Sequence, residues 1–146
     1  MTSVDANILL YSFSQASPYH AKALEFLERL TPLTEVAISE LVLVELYTLL
    51  RNPTVVTKPL EPSEAVDVIQ RYRSHPRWMV LGFDPDTLGL HDELWELARA
   101  EHFGRRRIYD VRLALSLRRQ GVSKFATANV KHFDGMGFLQ VWNPLD

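Results

Sequence analysis

Apolar positions along the chain fall into two alternating textures, short continuous runs and longer stretches with helical spacing. After the short run "TSV", Ala6–Phe13 has helical spacing, and Ser17–Leu30 reads as a second helix with Ser17 as its cap and Pro18 at its first position. Glu35–Ser39 predicts a strand, and Ser39 then caps an apolar helix that ends near Arg51–Pro53. The same reading gives a helix over Glu61–Ser74, a strand over Trp78–Phe83, and helices over Asp86–His102 and Ile108–Gly121, the last stopped by its glycine. Strands over Lys124–Ala128 and Phe138–Trp142 close the series.

Short apolar strands separated by helices predict an α/β fold, a three-layer α/β/α arrangement with a central, mostly parallel sheet. In such a sheet the ligand crevice lies beyond the carboxyl ends of the strands, where the winding reverses. Residues that directly follow strands are therefore the ones to weigh for chemistry.

One helix breaks its own pattern. In "ELVLVELYTLL" (residues 40–50), Glu45 has Leu41 and Leu49 one turn away on either side, with Val42 nearby, so a carboxylate stands on a stripe suited to a core. A buried carboxylate must be neutralised, paired or bound to a metal ion. Asp5 follows the first strand, Asn129 follows "KFATA", and Asp110 opens the helix "IYDVRLALSL". Asp110 also suits the dipole of a helix's first turn. Like charges crowded in a crevice raise one another's pKa unless a cation intervenes. Three carboxylates and an amide make a hard oxygen set suited to Mg²⁺ or Mn²⁺, and such an ion can activate water and stabilise charge on a phosphoryl oxygen. The chemistry implied is metal-assisted cleavage of a phosphate ester.

Composition narrows the setting. The chain has 146 residues, 47% of them hydrophobic, which suits one domain over 1–146 with a substantial core. Cysteine is absent, excluding disulfides and thiolate zinc sites. No stretch is apolar enough for a membrane span and no basic leader precedes the first apolar run, so a soluble, cytoplasmic protein is expected. The net charge of −2 is unevenly spread: residues 1–104 carry 8 Lys/Arg against 15 Asp/Glu, residues 105–146 carry 8 against 3. A basic C-terminal third, with Arg105, Arg106 and Arg107 just before the Asp110 helix, could grip nucleic-acid backbone or simply be solvated. Glu40 is read as a helix-start residue, His132 as an exposed loop side chain outside the ligand set, and Trp78, Trp95 and Trp142 as core or dimer residues.

The ordered motifs "SVDANILLYSF", "ISELVLVELYTLLRNP", "IYDVRLAL" and "FATANVKHFDGMGFLQVWNPL" resemble the PIN-domain nucleases, specifically the toxin subunit of VapBC toxin–antitoxin pairs, from Ser3 to Leu145. That resemblance implies that Asp5, Glu45 and Asp110 form a Mg²⁺ or Mn²⁺ site, with Asn129 beside them and Asn7 and Thr127 in support. It further implies endoribonuclease activity on RNA, a homodimer, and inhibition by a VapB-like antitoxin whose C-terminal segment enters the site. Where many relatives carry a fourth acid, this chain has Asn129 and His132, which leads us to expect one firmly held ion. Two alternatives stay open: a catalytically inactive PIN-like module that only binds a partner, and a receiver-like signalling domain with Asp84 as phosphoacceptor.

Overall fold

The computed structural model describes residues 1–146. In chain order the elements are β1 (Thr2–Val4), α1 (Ala6–Phe13), α2 (His20–Leu30), β2 (Val36–Ser39), α3 (Glu40–Leu50), α4 (Pro62–Arg73), β3 (Met79–Leu81), α5 (Thr87–Ala98), α6 (Arg107–Arg119), β4 (Lys124–Ala126), α7 (Val130–Phe133) and β5 (Gln140–Trp142). The five strands form one sheet in the order β3-β2-β1-β4-β5, and every pairing is parallel. The expected three-layer α/β/α arrangement is present.

Parallel neighbours need crossovers, and right-handed crossovers dictate where the helices go. The chain steps outward from β1 to β2 to β3, which places α1–α4 on one face. It then crosses to the other side of β1 to form β4 and β5, which places α5 and α6 on the opposite face. The direction of winding therefore reverses between β1 and β4, whose register pairs Val4 with Ala126. The crevice expected at such a point opens where Asp5 and Thr127 leave those two strands.

The core runs through the sheet: Val4, Val36, Ala37, Ile38, Phe125 and Ala126 are at most 1% exposed and pack with α1, α3 and α6. A satellite cluster of Leu90, Leu94, Val111 and Leu115 joins α5 to α6. Ser39 caps α3 as expected, its Oγ accepting from the Leu41 N–H at 3.1 Å. Gly121 adopts φ +94° just beyond α6, a left-handed conformation that costs glycine little and ends the helix.

Three expectations change. Helix α2 begins at His20, not at Ser17. The Ser17 hydroxyl accepts from the Tyr19 N–H at 3.1 Å and its carbonyl from the His20 N–H at 3.1 Å, so "SPY" closes a turn ahead of the helix. Helix α7 was not expected at all. Glu45 does not lie on the buried stripe of α3, which consists of Val42, Leu43, Leu46 and Leu50; it is exposed, with Leu41 and Leu49 half-buried beside it. Of the tryptophans, Trp78 is core, its Nε1 donating to the Leu30 carbonyl at 3.1 Å, Trp142 is half-buried against Phe26, and Trp95 is 58% exposed.

This division of α3 is testable by chemical denaturation. Leu46→Ala, at a fully buried position, should cost about 2–5 kcal/mol of unfolding free energy. Val44→Ala, at a position 65% exposed, should stay within about 0.5 kcal/mol of wild type.

Candidate active site

Asp5 leaves β1 in an extended conformation (φ −77°, ψ 156°) and serves as the N-cap of α1. Its Oδ1 accepts from the Ala6 N–H at 2.8 Å, and its Oδ2 accepts from the Thr127 hydroxyl at 2.7 Å and from Asn7 Nδ2 at 3.4 Å. The Thr127 bond follows from register, since each residue comes one position after the paired Val4 and Ala126. Thr127 Oγ1 in turn accepts from the Asn129 N–H at 3.0 Å, and Asn7 Oδ1 accepts from the Ala128 N–H at 3.2 Å. Asn7 and Thr127 thus lock Asp5 in place and lace the two strand ends together.

Only 5% of Asp5 is exposed. Burial pushes its pKa up, the Thr127 and Ala6 hydrogen bonds pull it down, and the charge of Asp110 raises it again. A carboxylate has about four acceptor positions, and three donors reach this one, which leaves capacity for another partner.

Glu45 overhangs the same crevice from α3. Its residue surface is open to solvent, yet the carboxyl group is partly desolvated, and that burial, followed by the charges of Asp5 and then Asp110, pushes its pKa up to about 7. The charge that looked unjustified in a core stripe belongs to the rim of a cleft.

Asp110 stands half-buried in the first turn of α6, while Val111, Leu113 and Ala114 beside it enter the core. Burial raises its pKa, and His132 and Arg107 oppose that rise. Its Oδ2 lies 3.3 Å from His132 Nδ1. His132 was read as an exposed loop side chain; it is exposed, but it lies in the single turn of α7, which brings it to Asp110. No pattern in the sequence marks so short a helix.

Glu45, Asp110, Asn129, Arg106, Arg112 and His132 line one crevice of 590 Å³. Glu45 and Asn129 also form the near wall of a 750 Å³ groove that runs past Asn7, Tyr11 and Tyr19 and contains no Lys or Arg. Asp5 and Asp110 lie close enough to raise the pKa of Glu45, and Asp110 that of Asp5, but Asp5 does not line the crevice and no three Asp, Glu or His side chains converge into a closed ligand set. Like charges repel in such a place, and Asp5 and Asp110 are each tethered to a neighbour instead. The donors on offer are oxygens, their pKa values are raised, and no Lys or Arg forms an ion pair with any of the three. Those properties fit a hard divalent cation.

The arginine triplet divides. Arg106 lines the crevice, and Arg105 is exposed outside it. Arg107 donates to the His132 carbonyl at 3.1 Å and reaches Met136 Sδ at 3.6 Å, which braces α7. Arg112, in the same basic C-terminal third, lines the crevice with Arg106. Glu40 pairs with Arg73 at 2.6 Å, in keeping with its helix-start reading. Asp84 accepts from the Asp86 N–H at 2.7 Å and pairs with Arg119 at 2.7 Å, bonds that in that order lower its pKa and make it an ion-pair anchor beyond the edge strand β3. That environment gives no support to a phosphoacceptor role.

Comparison with known proteins agrees with this architecture. The PIN domain family matches residues 3–139. The chain is 48% identical over 145 residues to Ribonuclease VapC24 of Mycobacterium tuberculosis, covering 99% of this chain and 97% of that protein. Among solved structures, Mycobacterium tuberculosis VapC20, described as a sarcin–ricin-loop-cleaving toxin, superposes with TM-score 0.68 at 19% identity, covering 95% of this chain and 97% of that one. VapBC2 of Rickettsia felis, solved with a promoter DNA fragment, superposes with TM-score 0.64 at 19% identity and 97% coverage of both chains. With its parallel sheet, its acids gathered at the reversal of winding and a family match across nearly its whole length, the chain belongs to the PIN-domain family.

Proposed function

We propose that this chain is a metal-dependent endoribonuclease, the toxin component of a type II toxin–antitoxin pair, working as a single nuclease unit over residues 1–146 in the cytoplasm. The observation that carries the reading is a crevice lined by Glu45, Asp110 and Asn129 beside the buried Asp5, three acids with no Lys or Arg ion pair whose pKa values are all raised, in each case first by burial. The 48% identity to a protein named as a VapC ribonuclease supports the same reading. No helix is long and apolar enough to cross a membrane.

Asp5, Glu45 and Asp110 would hold Mg²⁺, or Mn²⁺ in its place, with the Asn129 side-chain carbonyl at the margin. A bound ion of this kind supplies Lewis-acid stabilisation of phosphoryl charge and activation of water. Thr127 and Asn7 fix the Asp5 carboxylate so that its free acceptor position stays available. Glu45, whose pKa is pushed up to about 7, suits the removal of a proton from the attacking water. With Asn129 and His132 at the positions of a fourth acid, the site's three negative charges suit one ion.

Single-stranded or looped RNA fits the crevice, because unstacked nucleotides can enter where a duplex cannot. Of the basic triplet, Arg106 lines the crevice and is the member best suited to meet RNA backbone, whereas Arg107 is engaged with His132 and Met136. Two of the solved structures of similar fold are VapBC structures, one of them bound to a promoter DNA fragment, which supports a VapB-like antitoxin as partner. Phe83 at 79% exposure, with Leu88 at 82% and Trp95 at 58% sharing one side of α5, supports pairing with a second copy as a homodimer.

Two outcomes are expected. Wild type should cleave members of an RNA panel when Mg²⁺ is added, and Asp5→Asn, Glu45→Gln and Asp110→Asn should each lower the rate by about 10²-fold or more while far-UV dichroism is unchanged. Equal cleavage by all four proteins would remove the site assignment. A folded wild type inactive on every RNA would favour the partner-binding alternative, for which Asn129 in place of an acid is the supporting feature.

The second outcome concerns pH. Glu45 ionises near 4.5 when unfolded and near 7 in the metal-free fold, so the fold holds the extra proton and loses stability as pH rises across that interval. Mg²⁺ must displace that proton. Calorimetry should therefore show tighter Mg²⁺ binding at about pH 8 than at about pH 6, with proton release. Glu45→Gln should flatten this difference, and a pH-independent affinity in wild type would contradict it.

A further inference from the structure

Across the whole chain, the one buried side-chain nitrogen or oxygen without a hydrogen-bond partner is Nε of Arg112. The residue is half-buried on α6, two positions after Asp110. It lines the acid crevice together with Arg106, and it also borders a smaller cavity formed with Phe83, His91 and Ser116. Its guanidinium carbon lies over the Tyr109 ring, 5.7 Å from the centroid. No carboxylate stands within ion-pair distance of it, whereas Arg119 on the same helix engages Asp84, Asp86 and Glu93.

A partly desolvated guanidinium that lines a crevice without a carboxylate partner is unfavourable by itself, so the arrangement calls for an anion in that crevice. We propose that Arg112 is a substrate-binding residue whose guanidinium grips a backbone phosphate of the RNA next to the one being cleaved. The proposal rests on the ribonuclease reading above. Three features select an RNA phosphate. Arg112 shares its crevice with Glu45, Asp110 and Asn129, so a strand presented to the acids passes over it. The groove on the far side of Glu45 has no cation, which leaves Arg106 and Arg112 to hold the backbone near the site. The planar fork of a guanidinium matches two phosphate oxygens, and the exposed ring of Tyr109 beside it offers a face to an unstacked base.

The test measures binding of the full chain to a short fluorescein-labelled single-stranded RNA by anisotropy, in EDTA so that no cleavage occurs, across a series of KCl concentrations. Arg112→Gln should weaken binding about ten-fold at low salt and reduce the logarithmic salt slope by about 0.7, the value for one single-strand phosphate contact. Arg112→Lys should recover the slope but not the full affinity, because lysine lacks the fork. The melting temperature of Arg112→Gln should equal or exceed that of wild type, since an orphaned donor is removed; a residue with a purely structural role would lower it.

The proposal is overturned if wild type does not bind RNA in EDTA, or if Arg112→Gln binds with unchanged affinity and slope. It is equally overturned if the loss of binding comes with a changed mass by light scattering, which would make Arg112 a contact between proteins. Cleavage with Mg²⁺ is scored separately. A wild type that binds through Arg112 without cleaving refutes the nuclease reading alone, and one that cleaves while Arg112→Gln binds normally refutes this contact alone.

Discussion

A desolvated carboxylate at the carboxyl end of the central strand is the constraint around which the molecule is arranged. Asp5 is almost fully buried, carries a raised pKa, and is held by donors that cannot cancel its charge. Burial of this kind is unfavourable unless the neighbourhood compensates, and hydrogen bonds from Thr127, Asn7 and the Ala6 amide provide part of that compensation. Those same bonds tie β1 to the segment after β4, so the group that strains the fold electrostatically also fastens the reversal point of the sheet.

The surroundings extend the strain. Glu45 and Asp110 add like charge to a cleft that already disfavours it, and Arg112 holds an unpartnered donor on the same wall. Uncompensated groups gathered in one place, over a core that is otherwise closely packed and satisfied, mark where a protein retains free energy for binding. The cleft is also asymmetric. One side of Glu45 and Asn129 carries two guanidiniums and His132, and the other is a cation-free groove with two tyrosines. A polyanion crossing the acids would find its backbone held on one side and neutral surface on the other.

Much of this was legible in the linear pattern. Alternating strand and helix textures implied a parallel three-layer fold, and every strand was located to within a few residues: burial on both faces writes the continuous apolar run of β2, and short apolar runs between helices mark the more exposed edge strands β3 and β5. Ser39 and Gly121 marked helix ends through local chemistry. Asp5 was readable as a crevice residue because it directly follows the first strand. Ser17 misled, since the same hydroxyl that caps a helix also closes a turn, and the sequence does not say which N–H it will meet.

The sequence by itself determined the fold class and the positions of the strands, since these depend on periodicity and residue type. Tertiary structure alone decided that Glu45 overhangs a cleft and is not in the core, that His132 meets Asp110, that Arg107 braces a helix, and that Arg112 remains unpaired. Each of those outcomes depends on the angle and distance between segments far apart in the chain. Hydrophobic spacing constrains which side of an element faces inward, but not which neighbour waits at its rim.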